Sequence, residues 1–203
     1  MLLKWLVRLY RSEDSWGDIK DVDLIVPVSY TTTPSRLTRA TEANLRLAMF
    51  LFEHFSGARM AMSNCSYPFA GAEVREMDLK REITLGDKPV PVIWAAPMRN
   101  SVEEAEAIKI ALARCSKRYW PKHILVVTGE MHARSARIIW REVFPDAKIA
   151  IRCTPYHYEY QSDHCVKVQR SGWAWLGANL ARHILLRLVG LRIRSLQHRA
   201  SAT

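Results

Sequence analysis

The chain has 203 residues, of which 49% are hydrophobic and 25% are charged, and this composition is typical of one globular domain with a buried core. Eight glycines and nine prolines are too few for a collagen-like or low-complexity chain. The four cysteines are irregularly spaced and predict no disulfide framework, so we expect a reducing compartment such as the cytoplasm.

The net charge of +10 is concentrated at the two ends of the chain. Residues 1–11 carry three cations, residues 164–203 carry seven, and neither segment contains an acidic residue. Because the intervening residues are neutral overall, we expect no nucleic-acid partner. We predict an N-terminal amphipathic segment over 1–20 and a single domain over 21–203 that includes a basic C-terminal helix.

Both basic segments are also rich in leucine, and two interpretations stay open. One is a helix that lies on an anionic membrane surface. The other is an ordinary amphipathic helix that packs on the domain with its arginines outward. The arginines between 176 and 196 exclude a membrane-spanning helix there.

Short apolar runs alternate with helical patterns along the chain. The runs predict strands over 23–30, 58–63, 91–96, 123–128 and 147–154, and the helical patterns cover 36–55, 72–85, 101–116, 132–143 and 173–196. This order is typical of a mostly parallel sheet covered on both faces. The predicted fold class is α/β, a Rossmann-like doubly wound sandwich of about five strands with a long C-terminal helix.

Ligands of open α/β sheets bind beyond the carboxyl ends of the strands, where this chain places hydroxyl, amide and cationic side chains. These candidate binding residues are Ser29, Thr31, Arg36, Asn64, Arg99, Asn100, Thr128, Gly129 and Arg134. Polar residues also populate turns for conformational reasons. Five such loops at one edge nevertheless favour a ligand site.

The segment around His132 is the strongest single element. A strand delivers Thr128 and Gly129 to a helix N-terminus, where free N–H groups and the helix dipole attract anions. Arg134 and Arg137 add cations that suit phosphate or carboxylate. We expect the dipole to lower the pKa of His132 and to favour a neutral imidazole, which acts as a base or a hydrogen-bond donor. A solvent-facing histidine in the first turn is the alternative.

Two carboxylates complete the predicted catalytic group with His132. Ser101 and Glu104 have the spacing of a capping box, which predicts Ser101 as the N-cap of its helix. Glu104 also suits a ribose hydroxyl or a general base at this edge. Glu76 lies at a charged helix start that could equally be a solvated face. The sequence contains no dinucleotide fingerprint, P-loop or nucleophile elbow, and no recognised metal-ligand spacing.

The order of these motifs resembles the domain-of-unknown-function 218 family, also called YdcF-like, over residues 21–195. Arg99-Asn100-Ser101 followed by Glu104, and Val126-Val127-Thr128 followed by His132, carry the resemblance. Ser135 stands where the family has arginine. The resemblance implies a Rossmann-like fold with a small ligand at the carboxyl edge. One member is reported to bind S-adenosylmethionine, and others act in cell-envelope glycan and lipid-carrier metabolism.

We therefore hypothesise a small-molecule enzyme or ligand-binding protein whose ligand is anionic or nucleotide-like, with S-adenosylmethionine as one candidate. The reaction stays open between group transfer and phosphate-ester chemistry. The alternative is a membrane-peripheral envelope protein that acts on a lipid-linked phosphate or glycan carrier. A third possibility is a non-catalytic module whose basic C-terminal helix binds an acidic partner.

Overall fold

The computed structural model describes residues 1–67, 69–85, 89–115 and 120–189. In this part of the chain, five parallel strands form one sheet in the order β3-β2-β1-β4-β5. The strands are β1 (Leu24–Pro27), β2 (Arg59–Met62), β3 (Val92–Trp94), β4 (His123–Gly129) and β5 (Lys148–Thr154). The predicted α/β, Rossmann-like doubly wound fold is confirmed.

Six α-helices accompany the sheet within the described residues. They are α1 (Leu2–Tyr10), α2 (Arg39–His54), α3 (Ala72–Thr84), α4 (Ser101–Cys115), α5 (Ala133–Val143) and α6 (Gly172–Val189). Thr38 is the N-cap of α2, because its side chain accepts a hydrogen bond from the Thr41 N–H. The predicted extension of the last helix to residue 196 lies outside the described residues.

Strand side chains alternate between two cores, as the pleat of a sheet requires. On one face, Leu24 and Val126 pack with α1, α4, α5 and α6. On the other, Ile25 and Leu125 pack with α2 and α3. Because both faces are covered, the strands are apolar throughout, which is why they were recognisable as continuous runs in the sequence.

The N-terminal helix α1 packs against the domain. Val7 is completely buried, and the phenolic OH of Tyr10 donates to the Asn179 carbonyl at 3.1 Å. Arg134 donates through Nε to the Tyr10 carbonyl and through Nη2 to the Leu9 carbonyl, at 2.6 and 3.1 Å. These carbonyls belong to the last turn of α1, which has no intrahelical donors for them. Arg134 therefore anchors α1.

The opposite side of α1 is exposed, with Leu2, Trp5 and Leu9 each more than half accessible. Among the described helices, none is long and apolar enough to cross a membrane. Packing of α1 through Val7 thus coexists with an apolar surface that faces away from the domain.

The strand order defines the position at which open α/β sheets form a crevice. β1 and β4 are neighbours in the centre of the sheet, with β2 on one side and β5 on the other. The connections that leave β1 and β4 therefore diverge, and the carboxyl ends of these two strands form the topological switch point.

Candidate functional site

A cavity of about 650 Å³ opens at this switch point. Its wall combines the loop after β1, the start of α4, the start of α5 and one side of α6. Of the residues predicted from sequence, those that line it are Ser29, Thr31, Arg99, Asn100 and His132. Pockets of 300–1,000 Å³ are typical for small molecules and cofactors.

The loop after β1 has a strained backbone at the cavity wall. Thr31 has a φ of 70°, in the left-handed region that a β-branched residue rarely adopts. Its carbonyl accepts hydrogen bonds from the hydroxyls of Thr38 and Thr41, at 3.1 and 2.8 Å. Its own hydroxyl donates to the Tyr67 carbonyl. These bonds hold a conformation that costs about 1–3 kcal/mol, and such strain concentrates at functional sites.

His132 lies at the N-terminus of α5 and is only 2% exposed. Its Nε2 is 3.2 Å from the hydroxyl oxygen of Ser101, and its Nδ1 is 3.0 Å from Oδ1 of Asn179. Burial, followed by the positive charge of Arg182, lowers the pKa of His132 to about 3. The expected neutral imidazole is therefore present, but burial and an arginine account for it, whereas we had expected the helix dipole to do so.

Arg182 is a cation on the cavity wall beside His132. Its Nη1 lies 3.3 Å from His132 Nδ1, and its guanidinium stacks over the ring of Trp175 at 5.6 Å. Within the part of the chain that the structure describes, no carboxylate pairs with Arg182. A largely buried guanidinium without an anionic partner is costly, and burial also lowers its pKa.

The start of α4 corrects the predicted capping box. Asn100, and not Ser101, is the capping residue, because its Oδ1 accepts from the N–H groups of Val102 and Glu103 at 3.0 Å each. The side chain of Glu103 in turn accepts from the Asn100 Nδ2 group at 2.9 Å and from the Arg99 N–H at 2.7 Å. The box thus begins one residue earlier than predicted, which releases the Ser101 hydroxyl towards His132.

The two predicted carboxylates lie beneath the cavity and not on its surface. Glu76 and Glu104 are both 0% exposed. Glu76 pairs with Lys80 at 2.7 Å and also contacts the Ser29 hydroxyl, while Glu104 accepts from the Ser29 N–H at 3.0 Å. We call Glu76, Lys80 and Glu104 the buried carboxylate cluster. Burial raises the pKa of Glu104 to about 8.

Four other predicted residues hold the structure around the cavity. The Gly129 N–H donates to the hydroxyl of Tyr30 at 3.2 Å, and the Thr128 hydroxyl lies 3.1 Å from the same oxygen. Asn64 is buried, with its Oδ1 unpartnered among the described residues. Arg36 is exposed and pairs with Asp163 at 3.1 Å. None of the four lines the cavity, and neither does Arg134.

Sequence reasoning missed Glu159, which is completely buried. Its carboxylate accepts from the Met131 N–H at 2.7 Å, and from the Trp175 indole and the Tyr30 hydroxyl at 3.1 Å each. Burial raises its pKa to about 7. A Cβ at Gly129 would overlap this side chain, so the glycine makes room for Glu159. Glu159 thereby joins the β4 end, the β1 loop and α6.

Sequence reasoning also missed the contribution of α6. Trp175, Asn179 and Arg182 lie four and then three residues apart, so they share the face of α6 that meets the cavity. A polar stripe of this period within an otherwise apolar helix was the signal that would have found them. No group of His, Cys, Asp and Glu among the described residues has the geometry of a metal site.

Comparisons with family models, curated proteins and solved structures found no match to this chain. The resemblance to the YdcF-like family therefore stays a prediction.

Proposed function

We propose that the protein binds an anionic or nucleotide-like small molecule in the cavity at the switch point. The observation that carries this proposal is the guanidinium of Arg182 on the cavity wall, which pairs with no carboxylate in the described part of the chain. A bound phosphate or carboxylate would supply the missing counter-charge in a partly dehydrated place, where a charge-assisted contact is stronger than in water.

The other polar groups of the cavity suit the same ligand class. Arg99 contributes a second, exposed cation, and Ser29, Thr31 and Ser101 place hydroxyl groups on the wall. Glu103 and Glu106 also line the cavity and add two carboxylates to it. A ligand with both an anionic group and several hydrogen-bonding groups matches this mixture, whereas bare inorganic phosphate would use only part of it.

S-adenosylmethionine is one candidate of this class. The cavity volume is in the range of cofactor sites, and Arg182 is the residue that would hold the carboxylate of its methionyl part. When bound, this molecule supplies an activated methyl group. The chain's own contribution would be to hold and orient it. A nucleotide or a nucleotide-sugar would use Arg182 for its phosphate instead.

The test is a thermal shift of the purified protein with S-adenosylmethionine, pyrophosphate and a nucleotide-sugar as separate probes. A ligand at 100 times its Kd stabilises by about 2.7 kcal/mol, which for this size raises Tm by roughly 5–10 °C. Arg182→Gln should abolish the shift. The matched control is Arg36→Gln, since Arg36 is exposed, already paired and outside the cavity. An equal shift in Arg182→Gln and wild type would remove Arg182 from the site.

We propose a second, membrane-peripheral function on a different observation. An exposed apolar stripe runs along α6 through Trp173, Leu180, Ile184 and Leu188, and Trp5 is exposed on α1, which packs against α6. Lys4 and Arg8 are exposed on α1, and α1 contains no acidic residue. Apolar side chains next to cations favour a surface of anionic lipid.

Sedimentation with vesicles of phosphatidylglycerol and phosphatidylcholine tests this function. Binding should weaken as salt rises and should fall in Trp5→Ser. Phe50→Ser is the control, since Phe50 is equally exposed on α2, which covers the opposite face of the sheet. Equal binding of both variants, or no binding at low salt, would contradict a role of α1 at the membrane.

A further inference from the structure

Ser101 and His132 on the cavity wall form a continuous hydrogen-bonded line with Asn179, which is completely buried behind them. The Ser101 hydroxyl lies 3.2 Å from His132 Nε2, and His132 Nδ1 lies 3.0 Å from Asn179 Oδ1. They come from three separate helices, α4, α5 and α6. A hydroxyl, an imidazole and a group that orients the imidazole are the components of an activated serine nucleophile, which is recognised by geometry and not by sequence order.

We propose that Ser101 is the nucleophile, and His132 its general base, for cleavage of carboxylic esters that carry a separate anionic group. The inference rests on the proposed function, because the anionic group of the substrate is the part that Arg182 binds. Asn179 is a positioning residue. The sequence contains no nucleophile elbow, so the serine is presented here by the first residue of α4.

The tautomer of His132 follows from how Asn179 is held. The Asn179 Nδ2 group donates to the Trp175 carbonyl at 2.9 Å, which leaves its Oδ1 to face His132. This oxygen, at 3.0 Å, is nearer to Nδ1 than the Arg182 donor at 3.3 Å, so we assign the imidazole proton to Nδ1. Nε2 keeps its lone pair and faces Ser101, as a base must. Arg182 is a donor only, and its contact at 3.3 Å acts on His132 through charge.

The position of Ser101 also favours stabilisation of an oxyanion. Ser101 is the first residue of α4, a helix of 15 residues, and Asn100 caps the two following N–H groups. The N–H of Ser101 itself has no partner among the described residues. In the proposed reaction, this group and the positive end of the helix dipole would stabilise the negative charge that develops on the substrate carbonyl.

The charges around the line select the substrate class. Arg182 and Ser101 contact different nitrogens of the imidazole, so an anion on Arg182 is separate from the bond that Ser101 attacks. Glu103 lines the cavity two residues beyond Ser101, and its negative charge opposes a phosphate at that hydroxyl. An uncharged ester carbonyl suits this position better than a phosphoryl group does.

The anionic group also prepares the base. The positive charge of Arg182 is the second cause, after burial, of the low pKa of His132. An anion bound to Arg182 offsets this charge, so a correctly bound substrate raises the basicity of His132. An ester without the anionic group leaves His132 a weak base, and it should react slowly.

The reaction balances with water as the only co-reactant. The Ser101 oxygen bonds to the carbonyl carbon as its proton passes to His132 Nε2, and the alkoxy group leaves as an alcohol after it takes that proton. Water then attacks the acyl-Ser101 ester. Its proton passes through His132 Nε2 to the Ser101 oxygen, which restores the hydroxyl and releases the carboxylic acid.

The first experiment is covalent labelling of the full chain with an alkyl fluorophosphonate, followed by peptide mass spectrometry. We expect a single adduct on Ser101 that disappears in Ser101→Ala and is slowed at least about 100-fold in His132→Ala. Ser35→Ala is the control, since Ser35 is exposed and lies outside the cavity. An adduct on Ser29, or no adduct on Ser101 in a protein with wild-type Tm, would overturn the proposal.

The second experiment compares hydrolysis of mono-p-nitrophenyl succinate with that of p-nitrophenyl acetate. Both rates should depend on Ser101. In Arg182→Gln the succinate should lose its advantage over the acetate, and hydrolysis of the acetate should not slow, because removal of the Arg182 charge raises the pKa of His132. Asn179→Leu should lower kcat, and Asn179→Asp should restore it with the acid limb of the pH profile moved upwards. Ser101-dependent turnover of p-nitrophenyl phosphate in place of the carboxylic esters would overturn the substrate class.

These results separate the proposal from the function on which it rests. Pyrophosphate should still stabilise Ser101→Ala, because Arg182 is intact in that variant. Binding of pyrophosphate without a Ser101 adduct leaves the ligand site in place and overturns the nucleophile. A Ser101 adduct without any Arg182-dependent binding supports the nucleophile and overturns the anion site.

Discussion

Two polar groups of residues lie at the carboxyl ends of the strands, and they differ in what their charges contact. In the buried carboxylate cluster, Glu76 meets Lys80 and backbone donors, and every member is at most 1% exposed. In the cavity, Arg182 has an imidazole and an indole ring for neighbours and no carboxylate among the described residues. In the first group Glu76 already has its counter-charge in Lys80, and in the second Arg182 would gain one from a ligand.

This difference assigns the two groups different roles. A paired charge that solvent cannot reach contributes to the stability of the strand ends and has no access to a substrate. A cation that faces a cavity without a counter-charge is where binding energy is available. The contrast predicts that substitutions in the cluster change stability most, while substitutions around Arg182 change binding and proton affinity most.

The largest effect on stability is expected from Lys80→Met. Lys80 is 1% exposed, and its ammonium group lies 2.7 Å from Glu76 Oε1 and from the Ser63 carbonyl. Removal of the cation leaves Glu76 buried without its counter-charge, which costs about 3–5 kcal/mol. Urea unfolding measures the loss. Adding Glu76→Gln to Lys80→Met should recover part of it, and a loss below about 1 kcal/mol would show that the pair is not buried as described.

A smaller loss is expected from Gly129→Ala at the boundary of the two groups. The new methyl group would overlap the Glu159 carboxylate, which must then move away from Met131, Trp175 and Tyr30. Overpacking of this kind costs about 1–3 kcal/mol. The control is Gly177→Ala in α6, where a methyl group meets nothing and stabilises by up to about 1 kcal/mol. Equal Tm values for the two variants would contradict the close packing of Glu159.

The two groups also show which features of the site a sequence pattern can predict. The strands were predictable because each is a short run of apolar residues bounded by turn residues, and the position of the crevice follows from the strand ends. The depth of a side chain below the protein surface was not predictable. Glu76 and Glu104 lie near this edge, as expected. The spacing of residues along a helix indicates which face they share, but it does not indicate how far that face lies from the protein surface. Both are buried beneath the wall on which they were expected to act.

Two further differences separate the predicted site from the observed one, and the first has a local cause while the second has a long-range cause. The cap of α4 is one residue earlier than predicted, because Asn100 and Ser101 are both good caps and only the backbone geometry selects between them. Arg182 reaches the cavity from α6, and Glu159 reaches the end of β4 from the loop after β5, both distant in sequence from His132. Their convergence depends on how α6 packs against α5, which no local pattern encodes.

The pH dependence of stability should carry the signature of Glu104. Its pKa is about 8 in the folded protein and about 4.5 when unfolded, so the folded state holds an extra proton between these values. This contribution to stability is complete below pH 4.5 and is lost as pH rises towards 8. Glu159, with a pKa of about 7, acts in the same direction. Glu104→Gln should flatten the decline by up to about 1.4 kcal/mol per pH unit.

Urea unfolding of wild type and Glu104→Gln at pH 5, 6, 7 and 8 measures this effect. Glutamine keeps an oxygen for the Ser29 N–H and gains a donor towards the Ser63 hydroxyl, which has no hydrogen-bond partner among the described residues, so the substitution should not disrupt the cluster. Parallel stability curves for the two proteins would mean that Glu104 is ionised in the fold throughout this range.

The smallest effect on stability, and the most direct test of the contrast, is the pKa of His132 in Arg182→Gln. Burial is the larger cause of the low value, about 3, and the charge of Arg182 is the next. Removal of that charge should raise the pKa towards 6.5 without reaching it, since burial remains. Titration of the imidazole nitrogen signals by NMR measures it. Arg36→Gln removes the same charge at the surface and should leave His132 unchanged. An unchanged value in Arg182→Gln would mean that solvent screens the guanidinium from His132, and the charge of Arg182 would then not distinguish the cavity from the buried carboxylate cluster.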